Sequence, residues 1–260
     1  MSSARTAIAE NLALVQERIE QAASSAKRRA EQITLIAVSK THSARKIQAL
    51  YEAGVRHFAE NRIQERESKL LQVADLDIVW HMIGHLQKNK AARAARLFET
   101  IDSVDSLALG EKLDRARAEL TVEHGAPTEQ GARTEPNAGS SHPTAESRLR
   151  LLIEVKLDPE PPKSGVQGDE VPKLATALLR LPHLELRGLM GVPPYFDNPE
   201  QARPYFRRLR ELRDAARDQM KTDALPVLSM GMSHDFEIAI QEGATEIRVG
   251  TALFGAREPE

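Results

Sequence analysis

The chain has 260 residues, 36 Lys plus Arg against 38 Asp plus Glu, a net charge of −2 and no cysteine. The charge balance gives no reason to expect a nucleic-acid polyanion as partner, and the missing thiols exclude disulfides and thiolate chemistry. With 41% hydrophobic residues, no apolar stretch near the ~20 residues of a membrane span and no signal-like apolar core at the N-terminus, the sequence predicts a soluble cytoplasmic protein with a sizeable core.

The first predicted element is a helix over 4–29. There Ile8, Leu12, Val15, Ile19 and Ala22 recur at spacings of four and three and form one apolar stripe. Strand patterns follow at 33–40, 55–60, 78–83, 100–104, 151–157, 184–192, 227–230 and 246–250. Helical patterns lie between them at 44–53, 63–73, 87–98, 106–120, 170–181, 199–220 and 236–242. This alternation predicts a parallel sheet closed into a (β/α)8 TIM barrel, a single domain over 1–260. The extra N-terminal helix is free to fill the eighth outer position. A doubly wound open sheet is the structural alternative. Residues 121–147 are rich in Gly, Pro, Ser, Thr, Glu and Ala, and they read as a flexible insertion. It would enter the amino-terminal end of a barrel strand, opposite the expected site, so it is given no catalytic role.

Lys40 closes the first strand pattern. An amine at the carboxyl end of a buried strand is partly desolvated, which disfavours the ammonium form and suits attack on a carbonyl. Near the other end of the chain, Ser229-Met230-Gly231-Met232-Ser233-His234-Asp235 and Arg248-Val249-Gly250-Thr251 each follow a strand pattern and precede a helical one. Two neighbouring strand ends of this composition would cradle a phosphate, because small residues let backbone N–H groups approach an anion. Arg248 shares side-chain parity with Gly250 and would point into the barrel mouth, where it requires an acceptor. A cofactor ring nitrogen or Glu154 would serve. His81 and His85 are four apart, but they fall on a strand and a loop, and Met82 stands where a zincin glutamate would be. No metal is expected. The basic run from Lys88 to Arg96 reads as a solvated helix face.

With these segments in place, the chain resembles the pyridoxal phosphate homeostasis protein family, single-domain barrels similar to the amino-terminal domain of bacterial alanine racemase. The resemblance rests on AVSKTH at 37–42, FAENRIQE at 58–65, WHMIGHLQKNK at 80–90, KSGV at 163–166, GLMGVPP at 188–194, LSMGMSHDFEIAI at 228–240 and GATEIRVGTALFG at 243–255. It implies pyridoxal 5′-phosphate as cofactor, carried as an aldimine on Lys40. Ser233, Gly250 and Thr251 would hold the phosphate, Arg248 would face the pyridine nitrogen, and Asn61, His81 and Met190 would surround the ring. Arg62 stands where the family usually has an aromatic residue, and Lys156 stands near a usual asparagine. Lys156 is therefore a second amine to locate.

An arginine at the pyridine nitrogen keeps it unprotonated and makes the ring a weak electron sink. The chain also ends some ten residues after the last strand pattern, leaving no room for the second domain that supplies alanine racemase with its tyrosine. Tyr195, after the sixth strand pattern, could approach the site, but nothing marks it as a base. The expected function is intracellular cofactor homeostasis without substantial amino-acid turnover, and no catalytic residue is assigned. A racemase or lyase is the alternative, and a cofactor-free sugar-phosphate barrel is a third. Expected partners are the cofactor, apo-enzymes that take it up and free amino acids, with the chain a monomer or weak homodimer.

Overall fold

The structure, a computed structural model, describes residues 2–125, 148–157 and 164–255. Eight parallel strands close into a barrel in chain order: β1 (Thr34–Val38), β2 (His57–Glu60), β3 (Val79–Met82), β4 (Thr100–Val104), β5 (Leu149–Val155), β6 (Leu184–Gly191), β7 (Val227–Met232) and β8 (Glu246–Val249). Closure is made by β1 against β8, with Thr34 level with Glu246 and Ala37 level with Val249. The open-sheet alternative is thereby set aside.

The surrounding helices are α1 (Ser2–Ser25), α2 (Ala44–Glu52), α3 (Ile63–Lys69), α4 (Ala91–Leu97), α5 (Leu107–Gly125), α6 (Val171–Leu178), α7 (Arg203–Met220), α8 (Phe236–Gln241) and the short α9 (Thr251–Phe254). Helix α1 buries the predicted stripe Ile8, Leu12, Val15, Ile19 and Ala22 against α2, α8 and α9. It thus covers the seam where the barrel closes. It stops at Ser25 because the chain turns at Lys27, whose φ is +56°. The patterns beginning at 87, 170 and 199 open as short 3-10 turns before α4, α6 and α7, and the 63–73 pattern ends in one after α3. Helix α5 runs to Gly125, five residues into the expected insertion; 126–147 lie outside the described residues, as does Lys163 of the KSGV motif.

Most of the apolar core lies between the strands' outer faces and the helices. Inside the barrel a small separate cluster, Ile36, Val38 and Ala59 with Ile83, supplies the hydrophobic filling. Alternate residues of a strand share a face. Ile36 is level with both His57 and Arg248, so the inward layer beside that cluster is polar. A barrel interior packed with charged groups must satisfy each of them, and that requirement builds the site.

Candidate functional site

Lys40 stands just past β1 rather than on it. The strand ends at Val38, and residues 39–42 form a turn in which the His42 N–H donates to the Ser39 carbonyl at 3.0 Å. Thr41 sits in the left-handed region with φ +64°. A β-branched residue is strained there. Around the barrel, Val38 is level with Ala59 of β2, so Lys40 and Asn61 each lie two residues beyond a paired position. On the other side, Val38 lies against Gly250, where a Cβ would come 3.5 Å from the Val38 carbonyl oxygen.

The two C-terminal motifs meet at that point. Ser233 Oγ accepts the N–H groups of Gly250 at 3.2 Å and of Ala252 at 3.3 Å, at the start of α9. Thr251 is the first residue of α9 and is exposed. The loop carrying Ser233 is fixed from both sides. Asp235 Oδ1 accepts the Met232 N–H at 2.6 Å, and Arg18 of α1 reaches the Ser233 carbonyl at 3.4 Å and Glu237 at 2.6 Å. Gly231, with φ +91°, is required here, because a Cβ would lie 2.6 Å from that of Ala239. Ser233, Gly250 and Thr251 thus converge, one strand from the turn that carries Lys40. The hydroxyls of Ser233, held in place by those two N–H groups, and of Thr251 are a donor set that fits a phosphate.

Arg248 is buried beneath them. Its Nη1 donates to Ser229 Oγ at 2.8 Å and its Nη2 to the Gly191 carbonyl at 3.0 Å. Glu154, the expected protein acceptor, instead accepts the Ser164 hydroxyl at 2.9 and 3.0 Å, so its attraction to Arg248 acts without a hydrogen bond. Burial lowers the Arg248 pKa, opposed by Asp102, Glu246, Asp235 and Glu154. A guanidinium retains its proton under such opposition.

Along the barrel axis, His81 is buried with both ring nitrogens engaged: Nδ1 is 3.1 Å from Asp102 Oδ2 and Nε2 is 3.0 Å from His57 Nδ1. Burial lowers the His81 pKa, but the charge and hydrogen bond of Asp102 outweigh it and the net shift is upward. Burial, His81 and Arg150 push His57 down to about 4. The two shifts fit one arrangement, a protonated His81 donating to Asp102 and to a neutral His57. Burial pushes Glu246 up to about 7 although His81 pulls it down. The donor atoms of His81, Asp102 and Glu246 lie within 4.8 Å of one another, a spacing that suits a metal ion. Here, however, Arg150 and Arg248 act on the same groups and already supply positive charge. His85 is exposed 3.5 Å from Asp105 and does not join His81.

Asn61 opens a cleft of about 600 Å³ over β2 and β3, shared with Arg62, Met82, His85 and Lys90. The loop after β3 seats directly on Asn61. A Cβ on Gly84 would fall 2.2 Å from the Asn61 carbonyl oxygen. Met190 is buried on β6, level with Ser229 and Glu154. Lys156 lines a different cleft, with Tyr205, Arg208 and Leu212 of α7, so it is not grouped with Lys40. Tyr195 is 73% exposed and stacks on His234. Ser229 enters the sequence reading only as part of its motif, and His57, Asp102 and Glu246 are not reached by it. The parity that singled out Arg248 would have found Glu246, two residues earlier on the same strand.

Comparison with known proteins adds to this geometry. The family described as alanine racemase, N-terminal domain, matches residues 6–258. The pyridoxal phosphate homeostasis protein of Aquifex aeolicus is 38% identical over 249 residues, covering 96% of this chain and 98% of that protein. Its counterpart in Pseudomonas aeruginosa is 38% identical over 251 residues, with 96% of each covered. Among solved structures, PipY of Synechococcus elongatus is 36% identical and matches with a TM-score of 0.78 without pyridoxal phosphate and 0.75 with it bound, covering 95% of this chain and 100% of that one. An alanine racemase from Clostridium difficile, 14% identical with a TM-score of 0.68, shares the fold, and this chain covers 58% of it.

Proposed function

Because this chain belongs to the pyridoxal phosphate homeostasis protein family, we propose that it binds pyridoxal 5′-phosphate reversibly through Lys40 and acts as a carrier of the cofactor rather than as an enzyme. The observation that carries this reading is the placement of a lysine turn and a hydroxyl–amide cradle at the ends of adjacent strands.

The bound cofactor supplies an aldehyde carbon to which a primary amine can add. Lys40 is the amine. The hydroxyls of Ser233 and Thr251 would hold the phosphate, with Gly250, whose N–H orients Ser233 Oγ, letting the backbone approach it. Arg248, fixed by Ser229 and Gly191, opposes protonation of the ring nitrogen by like-charge repulsion. Asn61, Met190 and His81 wall the ring. His81 serves as a wall and not as a proton donor, since both its nitrogens are already engaged.

A racemase or lyase needs a stabilised α-carbanion and acid–base groups at the reacting carbon. Arg248 works against the first. For the second, Tyr195 is stacked on His234 at the surface. Carrier function suits exchange with apo-enzymes and with free amino acids in the cytoplasm, by a monomer or weak homodimer. The deciding experiment is α-proton exchange of a panel of amino acids in deuterated water with cofactor-loaded protein. Exchange no faster than with free cofactor is expected. Turnover near the ~10 s⁻¹ typical of enzymes would replace the carrier with the racemase reading.

A further inference from the structure

Helix α3 turns two cations inward. Its buried residues are Ile63, Arg66 and Lys69, an i, i+3, i+6 stripe. Arg66 lies over the Trp80 ring, 4.4 Å from its centroid. Lys69 goes further. It is 6% exposed, and its Nζ donates to Glu60 Oε1 at 2.6 Å and to the Ser39 carbonyl at 2.8 Å. Glu60 is fully buried and also accepts the Ser39 hydroxyl at 2.7 Å. Ser39 therefore has both its carbonyl and its side chain tied to one ion pair, and the next residue is Lys40.

The turn has a reason to need this. Thr41 is held at φ +64°, and strained backbone persists only where its surroundings over-determine it. The Ser39 carbonyl accepts both the His42 N–H and Lys69 Nζ. A lysine ammonium bonded to that carbonyl locks the peptide whose other end is the Lys40 nitrogen. A buried ion pair is a costly way to stabilise a fold, since apolar groups of similar size often do as well. Its usefulness here is directional.

We propose that Lys69 and Glu60 are positioning residues for the cofactor-binding amine: together they clamp the Ser39–His42 turn and so set where Lys40 presents its Nζ. This deepens the reading of Lys40 as the carrier lysine and rests on it. Lys69 and Glu60 touch no cofactor in this account. They act through the Ser39 peptide.

The test separates the clamp from both global stability and the carrier reading. Lys69→Met alone would strand the buried Glu60 carboxylate, so the working variant is the double change Lys69→Met with Glu60→Gln, with Lys69→Arg as the conservative comparison. In cofactor-free protein, hydrogen exchange at the His42 amide is followed against amides of Ile36 and Ala37 in β1. The expected result is exchange at His42 faster by about tenfold or more in the double variant, with the β1 amides changed only as much as global stability changes, and partial recovery in Lys69→Arg. With pyridoxal phosphate added, retention of the phosphate-anchored cofactor should hold within about twofold, while the rate of borohydride-trappable attachment to Lys40 falls about tenfold or more. His42 exchange that is unchanged, or that rises only in step with the β1 amides, overturns the proposal. The exchange readout decides it even if the chain binds no pyridoxal phosphate, an outcome that would instead overturn the carrier reading.

Discussion

Two polar clusters in this barrel are built differently. At the rim, Lys69, Glu60 and Ser39 form a short closed set joined by bonds of 2.6 to 2.8 Å. Along the axis, His57, His81, Asp102, Glu246 and Arg248 form a looser set of shifted pKa values, with no single pair that accounts for it. The rim set fixes a backbone position. The axis set adjusts where protons reside. A ligand-binding barrel needs both, a nucleophile held in place and an interior charge that decides the protonation of whatever ring sits above it.

The largest effect expected from breaking this division is at the amine itself. Lys40→Ala should abolish the absorbance band of a lysine-bound cofactor, while the phosphate cradle still retains some cofactor noncovalently. Persistence of the band would move the nucleophile elsewhere. Next comes the rim pair. Lys69→Met should cost about 3–5 kcal/mol in denaturant unfolding, because it leaves a buried carboxylate without its cation, and the double variant with Glu60→Gln should recover most of that loss. Equal losses in the two would show that volume, not charge, matters there.

The cradle should respond less. Ser233→Ala removes the acceptor for two backbone N–H groups and one contact to the phosphate, and loss of a hydrogen bond to a charged group costs roughly 1.5–3 kcal/mol. Cofactor dissociation should accelerate accordingly, and Thr251→Ala should behave alike, since backbone donors remain. An unchanged rate in the double variant would place the phosphate elsewhere.

The axis responds to pH. Burial raises Glu246 from 4.5 to about 7, so the folded protein holds that proton where the unfolded chain has released it. The resulting stability is full below pH 4.5 and is lost as the pH rises through about 7. His57 works oppositely. Burial lowers it from 6.5 to about 4, so its contribution is present above pH 6.5 and lost as the pH falls through about 4. Glu246→Gln should therefore lose less melting temperature than the unaltered chain between pH 5 and 7.5. Parallel curves would remove Glu246 from the axis account.

Much of this architecture was readable in the residues. The strand pattern at 100–104 coincides with β4, and the apolar stripe of α1 is buried as its spacing requires. Strand ends were less legible. The first strand pattern runs through to Lys40 because no Gly or Pro interrupts it, whereas the chain leaves β1 at Val38 through a turn whose positive φ falls on a threonine that does not announce it. Lysine at 69 was illegible for a different reason. In Glu65-Arg66-Glu67-Ser68-Lys69 the charges look like a solvated helix face, and only the tertiary placement of Glu60 and Trp80 turns Lys69 and Arg66 inward. Motif resemblance supplied the members of the cradle. The structure shows that Ser233 and Gly250 meet, and that Arg248 is anchored by Ser229 and Gly191 in place of Glu154.

The central claim is most directly tested by incubating the full chain with pyridoxal phosphate, reducing with borohydride and mapping the modified peptide by mass. Near-stoichiometric modification at Lys40 is expected, with Lys156 and the remaining lysines unmodified at low cofactor excess. A protein that takes up no label, or carries it chiefly at another lysine, would contradict the account.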